Sequence, residues 1–137
     1  MNGPSDPMAD PDAPYHAHVY FSAEERFAAE QLREAFLRNR ADNGGGILFV
    51  GRMTEGKAGP HPIPQYEIHF LERSLAEVVS AIGASGLRAL VHPLTDDDLA
   101  DHTNLGRWIG EPVQLDLDVL DPPGRSQGVA RFGKSDF

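Results

Sequence analysis

The sequence predicts an α+β domain of the ferredoxin-like, split βαβ type: a sandwich in which an antiparallel sheet carries two helices on one face, with an extra helix and an edge strand added at its C-terminal end. Three observations lead there. Segments with the two-residue alternation of half-buried strands recur along the chain, most plainly in YHAHVYF (15–21) and QYEIHFL (65–71). Two longer segments repeat apolar residues at helical spacing behind Ser-x-x-Glu starts. Their order, strand, helix, strand, strand, helix, strand, is that of the split βαβ motif.

Each element has its own reason. Residues 15–21 are rich in aromatic and β-branched side chains, which favour a strand. Ser22 and Glu25 stand at capping-box spacing ahead of a helix whose stripe is Ala28, Leu32, Ala35 and Phe36. Gly44, Gly45 and Gly46 end the connection to a second strand, ILFVGRM (47–53). The turn-rich TEGKAGPHPIP leads into the third strand, where Tyr66, Ile68 and Phe70 alternate with Gln65, Glu67 and His69. Ser74 and Glu77 open a second helix with Leu75, Val78, Val79 and Ile82 on its apolar face, and Gly83 and Gly86 stop it. LRALVH (87–92) is a fourth strand, TDDDLADHTNLGRWIG a short helix entered at Thr95, and VQLDLDVL (113–120) alternates as an edge strand with Asp116 and Asp118 on its wet side. The expected organisation is a flexible N-terminal segment over 1–14, one domain over 15–120 and a Gly/Pro-punctuated tail over 121–137.

Composition narrows the function. A chain of 137 residues, 40 % of them hydrophobic, suffices for one core, and no apolar run approaches the roughly 20 residues of a membrane span. A formal charge of −9, with the basic residues scattered, gives no footprint for nucleic acid. The acidic, Pro-rich start lacks the apolar stretch of a signal peptide, so a cytoplasmic protein acting on a small molecule is expected. Cysteine is absent, so a bound metal would be held by His, Asp, Glu or water.

Histidine is the informative residue. If Ala17, Val19 and Phe21 meet the helices, then His16, His18 and Tyr20 project from the other, open face of the sheet, and Glu67 and His69 join them from the third strand. With the first and third strands as parallel central neighbours and the fourth antiparallel beside the first, His92 and His61 are expected near the start of the first strand. Four histidines from three distant segments then meet at one end of the sheet. Singly, each has a plain structural explanation: a half-buried pair, a turn residue in GPHPIP, a salt-bridged carboxylate. Together they form a metal-ligating constellation.

The same residues carry a resemblance. YHAHVYF, GPHPIPQYEIHF and LVHPLTDDDLADHT followed by WIGEPVQLDL are similar, in this order and across about residues 15–120, to the motifs of the DOPA 4,5-dioxygenase family. The resemblance implies a ferredoxin-like homodimer and a non-haem iron(II) enzyme that opens a catechol ring outside its two hydroxyls with O₂, L-DOPA being the namesake substrate and a muconic semialdehyde the product.

That chemistry needs a redox metal with open positions, because triplet O₂ reacts slowly with a singlet catechol. His18, His61 and His92 are the expected Fe(II) ligands, with Glu67 as the alternative third. His16 and His102 are the expected acid/base groups, imidazole being suited to proton transfer near neutrality, and Glu67 joins them in catalysis if it is not a ligand. Tyr20 and His69 would line the substrate pocket, and Arg52 or Arg107 would hold a substrate carboxylate. Two other readings share the fold: a dimer whose open sheet face packs on its twin and binds metal or an aromatic ligand without turnover, and a cofactor-free monooxygenase, which would give no reason for the converging histidines.

Overall fold

A computed structural model describes residues 10–41, 46–125 and Phe132. The parts of the expected N-terminal segment and C-terminal tail at 1–9, 126–131 and 133–137 lie outside the described residues, as do Gly44 and Gly45. The chain forms β1 (Pro14–Tyr20), α1 (Arg26–Ala41), β2 (Ile47–Val50), β3 (Gln65–Leu71), α2 (Leu75–Ser85), β4 (Arg88–Pro93), α3 (Asp98–His102) and β5 (Arg107–Ile109). These make one five-stranded antiparallel sheet in the order β2-β3-β1-β4-β5, the α+β split βαβ architecture with one strand added at the β4 edge.

Local chemistry accounts for the element ends. The Glu25 carboxylate accepts the Ser22 backbone N–H at 3.0 Å, so a short 3₁₀ turn at Ala23–Glu25 leads into α1. Ser74 also precedes a helix, α2, but its hydroxyl makes no capping bond there; a 3₁₀ turn at Glu72–Ser74 supplies the approach. Gly86 ends α2 with φ of 79°, the left-handed conformation that glycine adopts without a Cβ penalty. Ala17 and Val19 of β1, Phe21 just beyond it, and Tyr66, Ile68 and Phe70 of β3 pack against Ala29, Leu32 and Phe36 of α1 and Val78 and Ile82 of α2. Burying each of the larger side chains contributes about 1.5–3 kcal/mol, which fixes which face of the sheet meets the helices.

Three expectations are corrected. β1 and β3 are antiparallel neighbours, not parallel ones, because the β1-α1-β2 crossover leaves β1 and β2 as the parallel pair and the chain reverses into β3 between them. The second strand stops at Val50: beyond it Gly51 donates its N–H to Glu67 O at 2.7 Å, and pairing continues only as an isolated bridge from Thr54 to Gln65. The added edge strand is Arg107–Ile109, whereas 113–120 runs irregularly into a 3₁₀ turn at Leu117–Val119. The reason lies in what Val113 and Leu115 cover. They close a second, smaller core with Tyr20, Leu90, Ile63 and Trp108 on the face opposite the helices.

That face is therefore not open. The chain's own 52–63 loop, α3 and the 113–120 segment lie over it, tied together by Asp116 N–H donating to Pro60 O at 2.9 Å and by Lys57 with Asp116 at 2.6 Å. A dimer built by pressing this bare sheet face on a twin has no bare face to use. At the N-terminal side, Pro11 and Ala13 carbonyls accept the N–H groups of Arg73 and Glu72, so the chain is anchored before β1 begins.

The approach of α3 to the sheet depends on Gly106. A Cβ there would lie 2.9 Å from Leu90 Cδ1 and 3.0 Å from the Asp101 carbonyl oxygen. Gly106→Ala is expected to destabilise the fold by about 1–3 kcal/mol, read as a lower midpoint in urea with an unchanged slope.

Candidate metal centre

The antiparallel register arranges the second face in cross-strand rows. His16 of β1 faces His69 of β3 on one side and His92 of β4 on the other; the next row is Glu67, His18 and Leu90, and the next Gln65, Tyr20 and Arg88. His61, four residues before β3, arrives beside Tyr20 at the far end of β1 from where a parallel third strand would have delivered it, and its Nδ1 lies 2.7 Å from the Tyr20 hydroxyl. α3 brings His102 over the middle, with ring centroids 4.3 Å from His92 and 6.0 Å from His61. All six histidines of the chain are thus in one cluster, and all are buried together with Glu67 and Gln65.

Within it, three sets place one ligand atom per residue within 4.8 Å of each other: His16, His18 and His92; His18, His61 and His102; His16, Glu67 and His69. His18 belongs to two of them. Of the expected ligands, His61 and His92 both flank His18 but join it in different sets. Glu67 is opposite His18 in register, yet its carboxylate reaches His69 Nε2 at 3.2 Å and His16 Nδ1 at 3.7 Å.

Hydrogen bonds to the outer nitrogens settle the state of the inner ones. The Thr54 hydroxyl donates to Gln65 O at 2.8 Å, so its oxygen accepts from Gln65 Nε2 at 3.0 Å, and the Gln65 amide must turn its Oε1 to His18 Nδ1 at 3.2 Å. His18 then carries its proton on Nδ1 and a lone pair on Nε2. His92 Nδ1 donates to Pro93 O at 2.8 Å and His102 Nδ1 to Asp98 O at 2.8 Å, leaving their Nε2 atoms as acceptors too. His18 Nε2 and His92 Nε2 face each other at 3.0 Å.

Two lone pairs at that distance repel unless something electron-poor sits against both. Protonating one ring is disfavoured, because burial and the neighbouring imidazoles hold His18 and His92 well below the usual histidine value. His16 is lowered for the same reasons, and burial, with His102 beside it, brings His61 to about 3. A divalent cation satisfies the requirement: donors about 2.1 Å from an ion lie roughly 3.0 Å apart at octahedral angles and 3.4 Å at tetrahedral ones. Neutral imidazoles with their far nitrogens pinned to oxygen acceptors are the donor set a late first-row metal takes.

The remaining expected residues fall into two groups. Tyr20 and His69 are fully buried in the cluster, Tyr20 stacking on Trp108 at 5.9 Å and His69 lying between the His16 ring at 3.7 Å and Phe49 at 4.6 Å. Burial raises the Tyr20 hydroxyl pKa, keeping it protonated beside His61. Arg107 is not in the site: it pairs with Val91, whose side chain is in the helix-facing core, so its own leaves from that side of β5. Arg52 is exposed in the outer wall of the 52–63 loop, beside Met53, Thr54 and Lys57.

Gln65 and Thr54 carry a positioning role that sequence reasoning gave to neither, although the alternation already put Gln65 on the same face as Glu67 and His69. Trp108, with Val113, Leu115 and Leu117, walls a pocket of about 340 Å³ that opens beside His102. Phe132 stacks over His69 at 5.6 Å and His16 at 6.3 Å, from a stretch read as tail. An isolated Phe after a Gly/Pro-rich segment gives no signal of that return.

Known proteins resemble the chain over most of its length. The chain is 38 % identical over 108 residues to a DOPA 4,5-dioxygenase of Amanita muscaria, covering 75 % of this chain and 47 % of that protein. It is 29 % identical over 116 residues to an uncharacterised 21.2 kDa protein of Botryotinia fuckeliana, covering 77 % of this chain and 62 % of the relative. The chain thus spans roughly half to three fifths of the length of these curated relatives. A crystal structure from Nostoc punctiforme, provisionally assigned as a dioxygenase, superposes with a TM-score of 0.70 at 33 % identity over 78 % of this chain and 90 % of that one. The Dopa 4,5-dioxygenase family model matches residues 15–119, a span that holds all six histidines, and the chain belongs to that family.

Proposed function

We propose that this protein is an iron(II)-dependent extradiol dioxygenase that opens L-DOPA or a related catechol to a muconic semialdehyde, using O₂. The observation that carries the metal assignment is the 3.0 Å approach of His18 Nε2 and His92 Nε2, two neutral acceptors whose outer nitrogens are already committed. His18, His92 and His61 hold the iron in this reading. Iron(II) with open positions supplies the means for a catechol and triplet O₂ to exchange electron density.

The chain's own residues supply orientation and proton transfer. Gln65 and Pro93 O fix the His18 and His92 rings, and Tyr20 fixes His61. His102, with Nδ1 on Asp98 O, presents Nε2 as an acceptor for a catechol proton at the mouth of the pocket that Trp108, Val113 and Leu115 wall for an aromatic ring. His16, next to His18 and His92 and beside Glu67, would take up the second catechol proton as the substrate binds and return it to an oxygen of the opened ring. The apolar cover excludes bulk water, which protects a reactive ring-opening sequence from side reactions.

Three outcomes test this. Anaerobic reconstitution with iron(II), then L-DOPA or a simple catechol and air, is expected to give a yellow ring-opened product with matched oxygen uptake; no colour and no uptake with any catechol sinks the assignment. His18→Ala and His92→Ala should each lose bound iron by elemental analysis, and Gln65→Leu should weaken iron binding by about 10–100-fold through the freed His18 ring. The third concerns pH. His16, His18, His61 and His92 have folded pKa values below that of an unfolded histidine, so between the two the unfolded chain holds more protons. The metal-free protein should be most stable above about pH 6.5 and lose stability as acid is added, by up to about 1.4 kcal/mol per pH unit for each such group. Chemical denaturation across pH 5–8 reads it, and a flat profile would contradict neutral, buried imidazoles.

A further inference from the structure

Arg52 and Arg107, expected to meet a substrate carboxylate, both stand outside the site, but the register brings a different arginine to it. Arg88 opens β4 opposite Tyr20 of β1. It shares the second face with Leu90 and His92, while Ala89 and Val91 between them turn to the helix-side core. On its other side β5 pairs Ile109 with Ala89 and Trp108 with Leu90, so the position beside Arg88 falls to Gly110. Gly110 has φ of 76°, and a Cβ there would come within 3.1 Å of Arg88 Cγ, so the arginine stem runs close over a position that carries no side chain. The row Gln65, Tyr20, Arg88 and Gly110 lies one step, about 7 Å of strand, beyond the row of His18, Leu90 and Trp108. Arg88 is half-buried, and among the described residues its guanidinium makes no hydrogen bond and no ion pair. The chain carries 21 Asp and Glu against 12 Lys and Arg, so composition does not explain a missing counter-ion.

The charge acts inward. Burial raises the Tyr20 hydroxyl pKa and the Arg88 charge offsets part of that rise, which brings the guanidinium within electrostatic reach of the hydroxyl that meets His61 at 2.7 Å. Tyr20 stacks on Trp108, which walls the pocket beside His102. Along the sheet the order is then His92, Trp108 one row on, and Arg88 one row further. A catechol ring set against Trp108 with its hydroxyls toward His92 turns its substituent toward Arg88. We propose that Arg88 selects the substrate by pairing with a carboxylate on the side chain of the catechol, so that catechols bearing a carboxylate on a short side chain are preferred over those without one. The proposal rests on the reading that a catechol binds at the His18–His92 centre. A guanidinium is charged at all working pH values, and its planar fork matches a carboxylate with two parallel hydrogen bonds.

L-DOPA and dopamine differ only in the carboxylate and are the probes. Trp108 is the single tryptophan of the chain and walls the pocket, so quenching of its fluorescence under argon reads binding without turnover. The full-length wild type, with iron(II) added, is expected to bind L-DOPA about 10–100-fold more tightly than dopamine, the range that a hydrogen-bonded charge pair supplies. Arg88→Gln should bring the ratio of the two affinities close to one, and Arg88→Lys, which keeps the charge and loses the fork, should restore part of it. In air, the ratio of kcat/KM for the two substrates should follow the same order. A wild type that binds both catechols equally overturns the proposal without recourse to any variant, as does a ratio unchanged in Arg88→Gln, including one in which both substrates lose equally. Carboxylate-dependent quenching that Arg88→Gln abolishes, with no ring opening of either catechol, upholds Arg88 and removes the dioxygenase reading. Ring opening with no preference for L-DOPA removes Arg88 alone.

Discussion

The antiparallel pairing of β1 with β3 on one side and β4 on the other is the constraint on which the rest of the molecule depends. It sets His69, His16 and His92 in one row and Glu67 beside His18 in the next, so the chemistry of three strands meets on one face. The register is held from the opposite face. A slip of one residue would carry Ala17, Val19 and Phe21, all essentially unexposed against the helices, to the histidine side and drive the imidazoles into the apolar core. Several buried side chains at about 1.5–3 kcal/mol each outweigh any rearrangement the polar face could favour by itself.

The polar face has the opposite character. Burying an imidazole without a partner costs about 1–3 kcal/mol, and six stand here in a volume from which water is excluded. The structure meets this by committing outer nitrogens to fixed acceptors: Gln65 for His18, Pro93 O for His92, Asp98 O for His102. The inner nitrogens are thereby left aimed at one another. A cation held between them would relieve this, so on the proposed reading the second face favours the loaded chain over the metal-free one. On that reading folding and metal binding are linked, through Gln65, Pro93 O and Asp98 O as much as through the ligands.

Much of this was legible in the sequence because strand alternation is strictly periodic. Once YHAHVYF and QYEIHFL are read as strands, the sharing of a face by His16, His18, Glu67 and His69 follows, and the element order follows from the capping signals. Strand direction was not legible from the same pattern. Alternation is unchanged when a strand is reversed, so the parallel placement of the third strand predicted the right residues at the wrong end: His61 meets Tyr20, not the start of β1. The VQLDLDVL segment misled for a related reason. Its alternation marks a half-buried segment, and Val113, buried, and Leu115, half-buried, form a lid on Tyr20 and Leu90 with no ladder partner. The charge of Arg107 suits a substrate carboxylate, but charge carries no information about which face of β5 the side chain leaves from. Phe132 returns from far along the chain, and nothing local marks it.

The division of ligands between rigid and irregular elements carries a further consequence. His16, His18, His69 and His92 sit on central strands whose backbones are fixed by neighbours on both sides, whereas His61 and His102 come from the cover, the Pro-flanked loop and the five-residue α3. Among the described residues the cover is fastened by polar contacts that include Asp116 to Pro60 O, Lys57 to Asp116, and the buried Asp101 carboxylate that accepts from Thr95 N–H at 2.9 Å and Thr95 Oγ1 at 2.6 Å. Its apolar contribution, Val113, Ile63, Leu115 and Trp108 against Tyr20 and Leu90, is small beside the helix-side core. In the proposed iron site one ion would join His18 and His92 of the sheet to His61 of the cover, tying the two together. Elements of low local stability are where opening motions concentrate. In that reading the Pro-flanked loop that supplies His61 is also part of the cover over the site, and its prolines hold it stiffly.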